Sequence, residues 1–318
     1  MFGIIKYLYI MLKSKIKREK YTFQQFNKDF PNDDVCLHFI FTSHYKNTEK
    51  CPSCDKPFSF HKVTNRKCYA CAYCGHQLHP LTKTIFNKSS TSLKNWFFVI
   101  FLFSSSKNGV AAKEIERQLG VTYKCAHRIA MQIRKLFNED VNQLFGIVEV
   151  DETYIGGKEF NKHKNKRTKN TQGRSTKTKT PIVGAIQRNG NIIAKVVPNT
   201  KSSTVLPFIA KDVSIESEVK TDEYISYYKL SKLGYNHDTV DHGKKEYVKG
   251  NTHTNNLEGF WSQLKRSISG THHSVSSKHL QKYVDEFSYR YNHRDDVRPI
   301  LNSLLDRINS SFKKHVKN

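Results

Sequence analysis

A multidomain chain of mixed α+β and α/β class is predicted by three observations. Four cysteines stand as two C-x-x-C pairs inside a short, turn-rich stretch between Cys51 and Phe86. From Ser92 apolar residues recur at helical spacing, and at Ile147 the period switches to that of strands. The predicted parts are an N-terminal extension (1–20), N-terminal helices with a cysteine-rich ribbon (21–90), a helical domain (91–143), a mixed-sheet domain (144–296), and a C-terminal helix and tail (297–318).

A chain of 318 residues suits two or three domains. It carries 53 Lys and Arg against 28 Asp and Glu, a formal charge of +25, which points to a polyanionic partner. With 37% hydrophobic residues it is no histone-like tail. The longest apolar runs, Met1 to Leu12 and Trp96 to Phe103, fall short of the roughly 20 residues a bilayer needs. In the first, Lys13, Lys15, Lys17 and Arg18 follow the apolar run, so it reads as a loosely attached helix and not a signal peptide. An odd count of seven cysteines with paired spacing favours metal over disulfides, and so a reducing compartment.

Taken in order, residues 21–50 suggest one or two short helices around Phe23, Phe26 and Phe30. Cys51, Cys54, Cys71 and Cys74, with sixteen residues between the pairs, have the spacing of a four-thiolate structural Zn2+ site, a zinc ribbon. Gly75 suits the positive φ that the second turn demands. Cys68 is left as a spare, and His61, His76 and His79 stay open as substitute ligands. Leu93, Trp96, Phe97 and Ile100 mark one helical face. Ala111 to Leu119, Gly120-Val121, then Thr122 to Phe137 reads as a helix-turn-helix, with the Thr122 hydroxyl as cap. Tyr123, Lys124, His127 and Arg128 at the start of its second helix are the candidate base-contacting residues, with Arg134 and Lys135 further along. An ordinary helical hairpin would give a similar pattern.

Strands are predicted at Ile147 to Ile155, Pro181 to Gln187 and Asn191 to Val197, the last two joined by an Asn189-Gly190 hairpin turn. The intervening 158–180 holds nine Lys or Arg and one acid, too polar to offset its ordering entropy, so a mobile loop is expected, one that either grips phosphates or is simply a solvated charged loop. Helical patterns return at Thr204 to Val213, Ile225 to Leu233, Asn255 to Ile268 and Lys278 to Tyr291.

Carboxylates in β-rich sequence are costly unless paired or bound to a cation. Glu149 and Asp151 fall on one face of the first strand and Glu152 on the other. Asp222 ends a further strand, and Glu258 lies at the start of a helix with Lys265 two turns on, on the same face. Asp151, Asp222 and Glu258 are therefore candidates to hold two divalent cations, Mg2+ or Mn2+, for phosphoryl transfer, with Lys265 and Arg266 contacting phosphate; the alternative is that three of the 28 acids match such a spacing by chance and Asp222 simply caps the helix after it.

These residues sit in a series of ordered motifs. They are Cys51-Pro-Ser-Cys54, Cys71-Ala-Tyr-Cys74-Gly75, Thr84-Ile85-Phe86, Leu119 to Lys124, Val150-Asp151-Glu152-Thr153-Tyr154-Ile155-Gly156-Gly157, Thr221-Asp222-Glu223-Tyr224, His253 to Trp261 with Lys265-Arg266, and His279 to Phe287 with Arg290-Tyr291-Asn292 and Arg294. From about Phe23 to Arg294 the chain resembles the DDE transposases of the Merlin superfamily and their bacterial insertion-sequence relatives (ISXO-like). The resemblance implies a ribonuclease H-like mixed-sheet catalytic domain with Asp151, Asp222 and Glu258 as the metal-binding triad and Lys265 as the basic residue that follows it. It implies binding of double-stranded DNA at terminal inverted repeats and at a target, cleavage, strand transfer by the freed 3′-hydroxyl, and a homodimer or larger assembly on DNA. A domesticated, non-catalytic DNA-binding regulator is the alternative. The expected compartment is a bacterial cytoplasm, on the nucleoid, ahead of a eukaryotic nucleus. Lys83 stands where the family pattern leads one to expect Gly, and His127 where Trp is more usual.

Overall fold

The computed structural model describes residues 19–157, 163–169, 171, 175–240 and 253–310. The Met1 to Leu12 stretch lies outside them, and the basic 158–180 segment is described only in part, with a 3-10 turn at Lys164–Lys166. The described residues form two compact units, one drawn from the chain up to Leu136 together with the residues from Asp295 onward, the other from Phe137 to Arg294.

In the first unit, α1 (Phe23–Asp29) and α2 (Asp33–His44) are capped by the side chains of Thr22 and Asn32. A three-stranded antiparallel sheet follows, β1 (Phe60–Lys62), β2 (Tyr69–Cys71) and β3 (Gln77–Leu78). It is fixed to α2 by Phe41, whose ring stacks on Tyr69 at 3.8 Å and packs near Phe58 and Phe60. The apolar α3 (Leu93–Ser105) buries Trp96, Phe97 and Phe103 completely. Phe26 and Phe30 pack on Phe101 and Phe97.

Next come α4 (Ala112–Leu119), closed by Gly120 at φ 64°, and α5 (Tyr123–Ile133), capped by the Thr122 hydroxyl on the Cys125 N–H. A 3-10 turn over Arg134–Phe137 ends this run. Arg134, expected on the exposed face, is only 1% accessible: its guanidinium lies over the Phe103 ring and donates to the Val110 carbonyl. It fastens the loop before α4 and is lost to solvent as a consequence.

The second unit is built on a five-stranded mixed sheet of β4 (Ile147–Ile155), β5 (Thr180–Gln187), β6 (Ile192–Val196), β7 (Glu218–Asp222) and β8 (Asn236–Val240) in the order β6-β5-β4-β7-β8. The β4–β5 and β5–β6 pairs are antiparallel, while β4–β7 and β7–β8 are parallel. Helix α6 (Ser202–Asp212) covers one face, packing Val205 and Ile209 against Val148, Val150 and Val219. Helices α7 (Asn255–Ser267) and α8 (Ser277–Asn292) cover the other, where Leu257, Trp261, Leu280 and Val284 meet Ile182, Ile186 and Ile192.

Two elements depart from the sequence reading. Residues 225–233 form 3-10 turns at Ile225–Tyr227 and Ser231–Leu233 in place of a continuous helix, since the buried residues Tyr227 and Leu230 are three apart and Gly234 at φ 94° stops the run. Strand β8, Asn-His-Asp-Thr-Val, has no strand signal in the sequence because it is polar and lies at the sheet edge.

The opposite edge, β6, is closed by side chains. Gln281 accepts from the Val196 N–H and donates to the Ala194 carbonyl, and Asn292 accepts from the Ile192 N–H and donates to the Ile192 carbonyl. Helix α9 (Ile300–Ser310) belongs to the first unit, where it packs on α2 and α3.

Candidate active site

The four sulfurs of Cys51, Cys54, Cys71 and Cys74 lie within 4.8 Å of one another, with Cys51–Cys74 at 3.8 Å and Cys54–Cys71 at 3.9 Å. Gly75 takes φ 73° after the second pair. This all-sulfur set, on two tight turns, suits a tetrahedral Zn2+. Cys68 stands outside it, directed at the Gln77 amide oxygen at 3.7 Å.

In the second unit, Asp151, Asp222, Glu258 and Lys265 line one cleft together with Glu152, Thr153, Thr254, Trp261 and Ser262. They come from the middle of β4, the last residue of β7 and two turns of α7, segments far apart in sequence that the sheet order makes neighbours. Each carboxylate is oriented by a neighbour. The Trp261 indole Nε1 donates to Asp151 Oδ2 at 3.1 Å, the Tyr224 N–H to Asp222 Oδ1 at 3.1 Å, and the Thr254 hydroxyl to Glu258 Oε1 at 3.0 Å. Glu152 points to the opposite face of β4 and accepts from the buried Tyr227 hydroxyl at 2.8 Å.

Burial, with the negative charge of Glu152, Asp222 and Glu258 nearby, pushes the Asp151 carboxyl up to about 8. Acids crowded in this way disfavour one another's ionised forms unless a cation joins them. The donor set is all oxygen, which fits a hard divalent cation such as Mg2+ or Mn2+. Among the described residues, the four thiols are the one group of three or more such ligands drawn together around a point, and the carboxylates border a wider cleft.

At the helix pair, Tyr123 and Lys124 are exposed at the start of α5, and the Lys113 ammonium sits 5.1 Å over the Tyr123 ring. His127 is half-buried, its ring 6.0 Å from that of Tyr123. Arg128 is exposed yet donates to the Asn87 carbonyl at 3.0 Å, tying α5 to the segment after the ribbon. Arg266 is exposed beside Lys265 on α7.

Sequence reasoning passed over three residues. Glu149 is fully buried and bonded to Arg188 and to the first turn of α7, a role that only the fold reveals. Trp261 carries the donor to Asp151. Gly184, paired with Asp151 across β4–β5, leaves the space that the indole fills. The one sequence signal for Glu149 was its parity with Asp151.

Comparison with known proteins gives two domain matches, a transposase zinc-ribbon domain over residues 31–77 and an ISXO2-like transposase domain over residues 143–292. An uncharacterized protein in transposable element ISH50 of Halobacterium salinarum is 25% identical over 275 residues, covering 83% of this chain and 92% of that protein. An uncharacterized transposase-like protein of Haemophilus influenzae is 29% identical over 100 residues, covering 31% of this chain and 80% of that protein. The ribbon cysteines fall inside the first match and Asp151, Asp222 and Glu258 inside the second, so the chain carries a segment similar to a transposase zinc ribbon and one similar to an ISXO2-like transposase domain, in the order in which they stand along the sequence.

Proposed function

We propose that the protein binds the terminal inverted repeats of its element and catalyses metal-dependent DNA cleavage and strand transfer. The convergence of Asp151, Asp222, Glu258 and Lys265 on one cleft carries this reading. The sheet supports a ribonuclease H-like catalytic domain: three antiparallel strands, then two parallel ones, in the order third-second-first-fourth-fifth, with helices on both faces.

Asp151, Asp222 and Glu258 would hold the divalent cations. When bound, such cations supply Lewis-acid activation of the attacking oxygen and stabilise the leaving one. The residues of the chain do the rest. Trp261, the Tyr224 N–H and Thr254 fix the carboxylates, and Lys265 and Arg266 meet the phosphodiester. Cleavage and joining need no covalent protein intermediate, so Tyr154, whose hydroxyl is 2.8 Å from Thr200 Oγ1, serves packing.

The helix pair α4–α5 acts as a helix-turn-helix, with Tyr123, Lys124, His127 and Arg128 toward the base edges. The ribbon, held by Zn2+, and the basic 158–180 segment add phosphate contacts. Joining two element ends requires a homodimer or larger assembly. The test is Glu258→Gln in magnesium-dependent cleavage and strand-transfer assays beside end binding. Loss of both reactions with binding retained is expected, and unchanged strand transfer would remove Glu258 from the chemistry.

A further inference from the structure

Glu149 is a carboxylate with no solvent exposure near the start of β4, and the cleft does not include it. Its oxygens are already engaged. Oε1 accepts from Arg188 Nε at 2.8 Å and Asn256 Nδ2 at 2.7 Å, with His253 Nδ1 at 3.3 Å. Oε2 accepts from the backbone N–H groups of Asn256 at 3.0 Å and Leu257 at 3.3 Å. No lone pair is left for a cation, so Glu149 is unsuited to be a ligand.

The donors show what it does instead. The first N–H groups of any helix lack intrahelical partners. Thr254, the residue in capping position on α7, makes no side-chain cap and turns its hydroxyl to Glu258. The cap is supplied by Glu149 from a strand more than a hundred residues earlier, its negative charge at the positive end of the helix. Arg188 completes the clasp by donating to the His253 carbonyl at 3.1 Å.

One turn further along α7, Trp261 makes the second tie, to Asp151. The two ties match in pitch. Glu149 to Asp151 spans about 6.6 Å of strand, and Leu257 to Trp261 spans about 6 Å of helix. Glu258 lies between the two points and has little freedom to slide along β4.

The geometry points to Glu149 as a positioning residue for the metal-binding set: by capping α7 from β4 it fixes the register that brings Glu258 and Lys265 to Asp151 and Asp222. This rests on the metal-binding reading of those acids, and the test separates the two.

The full chain is prepared as Trp96→Phe, leaving Trp261 as the one tryptophan of the two in the sequence, with and without Glu149→Gln. The amide keeps the shape but sets an N–H2 against donors. Three readouts are compared: Trp261 emission, hydrogen exchange of amides 256–261, and Mn2+ affinity by electron paramagnetic resonance. Loss of such a supporting contact weakens metal binding by about 10- to 100-fold. The expected result is that loss, red-shifted emission and faster exchange at 256–261, with exchange in α8 unchanged. Wild-type emission, exchange and Mn2+ affinity in Glu149→Gln would overturn the proposal, as would loss of protection throughout residues 137–294, which makes Glu149 a general fold determinant.

Asn256→Ala, at an exposed position, removes one donor and guards against such a collapse. It should weaken Mn2+ binding several-fold in a folded chain, and no change would overturn the proposal. Asp151→Asn and Glu258→Gln serve as controls. If neither alters Mn2+ binding, the metal-site reading fails, whereas the emission and exchange readouts still test the clasp.

Discussion

Gly184→Ala tests how Asp151 is held. A Cβ built at Gly184 would meet Trp261 Cζ2 at 2.6 Å and Cη2 at 2.7 Å, with Leu257 Cδ1 at 3.2 Å. Carbon atoms prefer about 3.5–4.0 Å, so the ring must retreat by about 1 Å. It cannot flex away, because Trp261 is a rigid indole, 3% accessible and packed in the core under α7. Overpacking of this kind costs about 2 kcal/mol. Losing the indole bond to Asp151 adds about 1 kcal/mol, and the better strand entropy of Ala returns about 0.7 kcal/mol. The net loss, about 2 kcal/mol, is a large share of a typical domain stability of about 5–15 kcal/mol. Urea unfolding followed by circular dichroism should show the midpoint falling by about 1 M. Trp261→Phe deletes the two clashing atoms, so in a double-mutant cycle the two substitutions should couple by about 1–2 kcal/mol. Additive effects, or a Gly184→Ala protein as stable as wild type, would refute the close approach as the reason for glycine here.

Cys71→Ser should lower zinc content by about one ion per chain, measured by atomic emission, while Cys68→Ser, outside the cluster, should leave it unchanged. Lys83 holds φ 58°, where a side chain costs about 1 kcal/mol, so Lys83→Gly should raise the melting temperature of the first unit in calorimetry, and a lower one would contradict the strain. Burial raises the Asp285 carboxyl above its usual value, so its contribution to stability is greatest while it is protonated and declines as pH rises through the folded-state value. Asp285→Asn should therefore gain in melting temperature relative to wild type at pH 8 and lose that gain toward pH 4, and an equal difference at both would refute the assignment.

Much of this architecture was legible because its signals are local. Two C-x-x-C pairs, a left-handed glycine after a helix and a threonine cap are each written within a few residues, and the structure has Gly120 at φ 64° and Thr122 on Cys125. Strand β4 carries its own period, and its bounds, Ile147–Ile155, match those read from the sequence. The misses have non-local causes. Strand β8 is polar because it is an edge strand, and its pairing with β7 is a property of the sheet. Arg134 looks like a surface cation until Phe103 and the Val110 carbonyl are brought to it. The carboxylates could be nominated one by one, but not how they are held. The Glu149 partners, Arg188 and residues 253–257, are 39 to 108 positions away.

The side-chain closure of β6 bears on how copies of this chain can meet. A bare strand edge invites any extended segment to zip onto it, the commonest route by which sheets merge or aggregate. Here the Gln281 and Asn292 amides already occupy backbone groups a visiting strand would need. At this edge, copies are steered away from indiscriminate strand addition and toward contacts made by side chains, which sequence can tune. Blocking the unselective mode of association at this edge leaves any meeting of copies to surfaces that can discriminate.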